Sequence, residues 1–340
     1  MNERDLGYVI VTDYVSVNSG RDVSDEIQKI IQDHPNRTIY FPDGEYLLSK
    51  PILTPANPIH SVSLCLSAYA VLKASDDWCE QEAVVRLGAA EPFNDISTPG
   101  SNYYFQGGII DGNGRANGIS IDSGRETCIH HVSIKNTFIG IHIKPGANNG
   151  SSDADVHSVN IVGNAKKGSV GVLIEGHDNT LTNMRIASIH KGVVVRSGGN
   201  LLRNIHPLYI FEKELDDIEV FKTGVAFEDV WKDNFYDICY SDQFCVGFSM
   251  TTKCSSAYTN SYIMWYTDRC GVETAFHVEG KFNSIIRNPK VCFHSTTKNC
   301  LLSVTEEGGS GIIDCPVVKP DNLGDRQFEA YLTGKIIAKD

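Results

Sequence analysis

The chain has 340 residues, enough for one large or two ordinary domains, and its 41% hydrophobic and 21% charged residues are the balance of a globular protein. A formal net charge of −12 argues against nucleic acid or an anionic membrane as partner, and no run approaches the roughly 18 apolar residues of a membrane span. An acidic substrate stays open, because a basic cleft can sit in an acidic shell.

The first residues, MNERDLGYVIVTDY, lack a basic segment followed by a long apolar one, so no signal peptide is visible. The expected address is cytoplasmic, or extracellular if a signal was removed. Next, Ser24 or Asp22 can cap a helix whose Ile27, Ile30 and Ile31 share one face and which stops near Asp33-His34-Pro35. A strand at Thr38-Ile39-Tyr40-Phe41 then meets the turn Pro42-Asp43-Gly44. The stretch Gly108-Ile109-Ile110-Asp111-Gly112-Asn113-Gly114 is a strand running into a tight turn, where Asp111 serves the backbone.

From there a refrain, glycine–apolar–x–apolar–charge, recurs. It is found at Gly118-ISI-Asp122, Gly140-IHI-Lys144, Gly171-VLI-Glu175, Gly192-VVV-Arg196 and Gly224-VAF-Glu228, and more weakly at Gly247-FSM-Thr251 and Ala275-FHV-Glu279. By subtraction the first residues stand 22, 31, 21, 32, 23 and 28 apart, a period near 22 with loops added. Four of the copies are followed by a turn asparagine (Asn179, Asn200, Asn234, Asn283) and a second apolar run. Two or three short strands per period, with Gly or Asn at the corners, fit a parallel β-helix rather than a leucine-rich solenoid, whose fixed Leu/Asn spacing is absent. Stacked asparagines can bond one another. The alternating charges Asp122, Lys144, Glu175, Arg196 and Glu228 suit a stacked column with rungs about 4.8 Å apart. The outward middle column, Ser120, His142, Leu173, Val194, Ala226, Ser249 and His277, is partly apolar, and an exposed strip of that kind suggests a homo-oligomer, with a homotrimer as the guess.

The N-terminal stretch Asn18-Ser19-Gly20-Arg21-Asp22, Ile27-Gln28 and Ile39-Tyr40-Phe41-Pro42-Asp43-Gly44-Glu45-Tyr46 resembles the signature of the pectate-lyase-like, single-stranded right-handed β-helix superfamily, and Asp111-Gly112-Asn113-Gly114 resembles a turn common in that group. With the coils, the resemblance covers roughly residues 8–315. It implies an all-β fold, a right-handed parallel β-helix (solenoid) with an N-terminal capping α-helix. The expected layout is a cap over 1–50, coils over 51–315 and a C-terminal cap or tail over 316–340. It also implies activities drawn from pectin and rhamnogalacturonan hydrolases, polysaccharide lyases, fructan-cyclising enzymes, epimerases and tail-spike depolymerases.

Catalytic groups in such a fold come from sequence-distant lines that stacking brings within about 5–10 Å. The polygalacturonase-type pattern, NTD, DD, GHG and RIK just before the refrain strands, is not reproduced. His190-Lys191-Gly192 faintly resembles GHG, and Glu273 is the acid that precedes the Ala275 line. Tyr240-Ser241-Asp242-Gln243 and Tyr266-Thr267-Asp268-Arg269 are 26 residues apart. Stacked on adjacent rungs, Asp242 and Asp268 would resist joint ionisation and make one a general acid. The alternative is two turn aspartates bonded to backbone. Trp265, Tyr266 and Trp231 lie close by and could stack on sugar rings or pack in the core. Arg185 and His206 hold equivalent places in successive strands and could bind an anionic sugar or, with Lys191, supply a base, although His206 before Pro207 equally suits a turn.

No metal cluster or nucleotide motif stands out, so no cofactor is expected. The ten cysteines include no CxxC and read as free buried thiols. The expected function is a glycosidic-bond-cleaving enzyme acting on an oligo- or polysaccharide. The alternatives are a lyase or fructotransferase, and a non-catalytic glycan-binding or tail-spike-like protein.

Overall fold

The computed structural model describes residues 7–56, 60–79, 82–90, 104–145, 151–209, 222–266, 270, 272–294 and 299–320. Within these the chain is almost all short strands, every registered pair of which is parallel, with one α-helix, α1 (Ser24–Asp33), and a 3-10 turn at Val11–Asp13. By internal contacts it divides into two compact units, Met1–Asn164 with Glu175–Asn179, and Ala165–Ile174 with Thr180–Asp340. Each is a stack of β-helical coils.

In the first unit a typical coil runs Cys128–His130, Ser133–Thr137 and Ile139–Ile143. Each strand pairs with its counterpart one coil away: Cys128 with Asp155, Ser133 with Asn160, Ile119 with Ile141. Period-2 alternation turns Ile119, Ile121, Ile129, Ile134, Ile141 and Ile143 inward, all fully buried. Gly118 is required by this stacking. A Cβ there would lie 2.3 Å from the Gly140 carbonyl oxygen of the next coil. The Asp111 turn forms as expected, with the carboxylate accepting from the Asn113 N–H at 2.9 Å and from the Asn136 amide at 2.9 Å.

Helix α1 buries Ile27, Ile30 and Ile31. Its N-cap is Val23, not Ser24 or Asp22. Asp22 still serves the helix start by accepting the Ser24 N–H at 3.0 Å, and it also accepts the Ser49 N–H at 3.1 Å. Gln28 donates to the Leu53 carbonyl at 3.0 Å and accepts the Leu53 N–H at 2.8 Å. Its amide thus takes the place of a neighbouring strand beside Ile52–Pro55, blunting that edge.

In the second unit the interior turns aromatic. Phe227 stacks on Phe248 (centroids 4.6 Å apart) and Phe248 on Phe276 (5.4 Å), Tyr236 stacks on Tyr258 (4.6 Å), and Trp265 stacks on Phe293 (5.2 Å). The expected asparagine contact forms between Asn200 and Asn234, whose amides meet at 3.0 Å with both residues fully buried. Asn283 is not in that column. Ala257 pairs with Ile285, which puts Ser284 level with Ser256, and Asn283 lies one place off.

The register corrects the refrain at one copy. Val193 pairs with Phe227 and Val194 with Glu228, so Ala226, not Gly224, stands where the other lines carry glycine. Glu228 is therefore level with Val194 in the outward column rather than with Arg196, and it pairs with Lys191. In the first unit the expected alternation does hold, with Lys144 Nζ 2.9 Å from the Asp122 carboxylate. The apolar members of the middle column are not exposed. Leu173 and Val194 are buried, and Ala226, also buried, leaves the column with the register shift, so the strip that suggested an oligomer is not on the surface. All ten cysteines are free. Cys239, Cys245 and Cys254 are buried, whereas Cys79 and Cys315 are exposed, contrary to a uniformly buried set.

Candidate active site

The strands Thr180–Ala187, Leu201–Leu208, Tyr240–Asp242, Tyr262–Met264 and Lys290–Phe293 lie side by side in the second unit. Arg185 pairs with His206, Leu208 with Asp242, Tyr240 with Tyr262 and Tyr262 with Lys290. Because every second residue faces outward, one outward row reads Arg185, His206, Tyr240, Tyr262, Lys290. The imidazole of His206 stacks on Tyr240 with centroids 4.0 Å apart, Tyr240 meets Tyr262 at 4.7 Å, and Lys290 Nζ lies 4.7 Å over the Tyr262 ring. A cation at each end brackets an aromatic ladder. The faces of Tyr240 and Tyr262 are covered by His206, by each other and by Lys290, so the ladder turns ring edges outward, and anionic sugars pair with such cations.

Asp242 stands one outward position along from Tyr240. His206 Nε2 is 3.4 Å from its Oδ2, and its Oδ1 is buried with no hydrogen bond among the described residues. A buried carboxylate oxygen without a donor is costly, and such groups persist where a ligand or a reaction uses them. Its charge is felt nearby. Burial first, then the Asp242 charge, pushes the Tyr240 hydroxyl well above the usual phenol range, and the same two causes raise Tyr266. Both phenols are thus held protonated, as donors. Tyr266 is 44% exposed and anchored by its N–H to the Gln243 side chain at 2.8 Å. Of the residues named from the sequence, Asp242 and Tyr266 stand close enough for the carboxylate charge to act on the phenol.

Several expected site residues stand elsewhere. The rung beside Asp242 carries Met264, 22 residues on, so the 22-residue period prevails over the 26-residue likeness of YSDQ to YTDR. Asp268 and Arg269 lie outside the described residues. His190 is buried with both ring nitrogens engaged, Nδ1 accepting the Gly168 N–H at 3.0 Å and Nε2 meeting the Thr223 hydroxyl at 2.8 Å. Burial, then the Lys191 charge, lowers its pKa, so it is a neutral structural imidazole rather than a proton shuttle. Lys191 is tied to Glu228. Glu273 is fully buried and accepts the His294 N–H at 3.0 Å, which fixes a turn and removes it from reach of a substrate. Trp265 is fully buried with Nε1 donating to the Phe244 carbonyl at 2.6 Å. It is a core residue and offers no face to a sugar. Trp231 is part-exposed under Lys253, 5.1 Å from the ring centroid.

Tyr240, Tyr262 and Lys290 were not singled out by sequence. The signal that could have found them is the spacing: Arg185 to His206 is 21 residues and Tyr240 to Tyr262 is 22, one coil each. Metal-ligating side chains gather in the first unit instead, where Cys128, Asp155 and His157 come within 4.8 Å of one another, a cluster the sequence did not reveal.

No family model matches the sequence. Over 190 residues, 48% of this chain, it is 26% identical to Polygalacturonase QRT3 of Arabidopsis thaliana, and the match spans 34% of that protein, about a third of its length. The fold is similar to that of endo-xylogalacturonan hydrolase from Aspergillus tubingensis (TM-score 0.65, 13% identity, 95% of this chain and 98% of that one). It is also similar to a tailspike protein mutant of E. coli bacteriophage HK620 (TM-score 0.65, 8% identity, 97% of this chain and 64% of that one). The chain has the right-handed parallel β-helix fold. At these identities the likeness is one of fold.

Proposed function

We propose that this chain is a carbohydrate-active enzyme that cleaves glycosidic bonds of an oligo- or polysaccharide laid along the Arg185–His206–Tyr240–Tyr262–Lys290 row. The observation that carries the reading is Asp242, half engaged by His206 and half without a donor, set beside an outward row of aromatic and cationic side chains. Asp242 acts as the general acid or base of hydrolysis, with His206 orienting it. The fold shared with a xylogalacturonan hydrolase and a phage tailspike supports a polysaccharide substrate.

One observation favours a second reading. Arg185 and Lys290 bracket the row with positive charge, which suits a uronate, and a uronate can be cleaved by β-elimination with His206 as base and a protonated Tyr240 as acid. Incubation with a panel of neutral and uronate-containing glycans, read by mass spectrometry, decides. Products heavier in sum by one water mean hydrolysis, and unsaturated products without added water mean elimination. Glycan binding with no product from any member would overturn both readings.

A further inference from the structure

Adjacent coils of the first unit carry Cys128–His130 and Asp155–His157 in register, Cys128 opposite Asp155 and His130 opposite His157. Ile129 and Val156 between them are fully buried, so all four flanking side chains face outward and form a two-by-two patch. One ligand atom from each of Cys128, Asp155 and His157 lies within 4.8 Å of the other two. His130 stacks on His157 with centroids 4.9 Å apart. The corner residue His131 stands edge-on to both, 5.1 and 5.4 Å away, with its Nδ1 2.9 Å from the His130 Nδ1.

A sulfur, an imidazole nitrogen and a carboxylate oxygen within 4.8 Å of one another are the donor set of zinc-type ions. Calcium and magnesium take oxygen ligands, and this group offers one oxygen-bearing side chain. Three imidazoles packed against one another have no structural task that a coil corner demands. The matching corner of the neighbouring coil is filled by a small residue, Ser158, in the same left-handed conformation. The strands fix the ligands in place, since each is held by backbone pairing on both sides of its coil.

We propose that Cys128, Asp155 and His157 form a binding site for a divalent transition metal of the zinc type, with His130 packed behind His157 to hold its ring. On binding, the Cys128 thiol gives its proton to solvent and the thiolate sulfur forms the metal bond, while Asp155 and His157 bind through lone pairs. Thiolate and carboxylate together balance the charge of the ion. Three protein ligands leave a fourth position for water or an added ligand.

The test is a cobalt(II) titration of the full chain under reducing conditions. One equivalent should produce a thiolate-to-cobalt charge-transfer band in the near ultraviolet with visible ligand-field bands, and zinc should abolish both. Cys128→Ser should lose the charge-transfer band, and Asp155→Asn should weaken binding at least about tenfold. The Asp155 side chain is solvent-exposed, so that variant keeps its fold, which its melting temperature verifies. Zinc should raise the melting temperature of the parent and not that of Asp155→Asn. Absence of a one-equivalent spectrum, a band that survives Cys128→Ser, or equal binding by Asp155→Asn would overturn the proposal.

Discussion

The two units solve the same stacking problem with different interiors. In the first, coils meet through aliphatic columns such as Ile119–Ile141 and Ile121–Ile143. In the second, Phe227, Phe248 and Phe276 stack face to face through successive coils. The outsides differ in parallel. The first unit carries an ion-pair ladder in which Arg86, Asp122, Lys144 and Glu82 alternate, and the second carries the cation-bracketed aromatic row beside Asp242. Branched aliphatics fill a narrow coil in few rotamers and ask nothing of their neighbours beyond volume. Aromatic columns bury more area per rung and also accept a polar group among them. The second unit contains such a group. Asp229 is almost fully buried and accepts from Ser256 (2.7 Å), Tyr258 (3.0 Å), Asn234 (3.1 Å) and the Trp231 N–H (3.1 Å). Burial is the larger influence and raises its pKa in spite of these four donors.

The comparison breaks most readily at that carboxylate. Asp229→Ala leaves four donors facing a void and should cost about 3–5 kcal/mol, read as a lower urea midpoint of unfolding. Next come the columns themselves. Phe248→Ala removes the middle ring of the stack and should cost about 3–5 kcal/mol, against about 0.5–1.5 kcal/mol for Ile141→Val in the first unit. Equal losses from columns trimmed by equal volumes would remove the distinction.

Acid sharpens it. Burial alone would raise Asp122, but hydrogen bonds from Arg86, Ser120 and Lys144 outweigh it and hold the carboxyl below its ordinary value of 3.8. Asp22 is likewise lowered, by Ser24 and Ser49 against burial. A carboxyl with a depressed folded pKa contributes stability that is complete above the unfolded value and is lost as pH falls through the folded one. Asp229 is shifted the opposite way, so its protonation as pH falls through its raised folded value relieves a cost. Stability measured from about pH 5 down to pH 2 should therefore fall less steeply in Lys144→Met than in the parent.

The smallest effect concerns a corner. Ile238 is a β-branched residue at φ 54°, level with Asn204 and Asn260, which hold the same left-handed conformation at φ 52°. Asparagine tolerates that region and isoleucine does not, so Ile238→Asn should stabilise by about 1 kcal/mol, measurable as a higher thermal midpoint.

Much of the fold is legible in the sequence because backbone stacking forces it. Gly118, Gly171 and Gly192 mark places where a neighbouring carbonyl leaves no room for a Cβ. The misreading at Gly224 shows the limit. Alanine also fits that column, so Ala226 hides among ordinary residues while a nearby glycine mimics the motif. The candidate site was half legible. Asp242, His206, Arg185 and Tyr266 could be named, but their assembly depends on which residues share a rung. That is set by loop lengths that hydrophobic patterning does not encode. His190, Glu273 and Trp265 have reactive or sugar-binding chemistry by type, and burial with satisfied hydrogen bonds removes them from it.

On the proposed function, Asp242 is the proton-transfer group of glycan cleavage on this row. Its most direct test compares the parent and Asp242→Asn on the glycan that yields product, with melting temperature as the control for folding. Product formation should fall by about 10²–10⁴-fold at an unchanged melting temperature. Retention of parental activity by a folded Asp242→Asn would contradict the account.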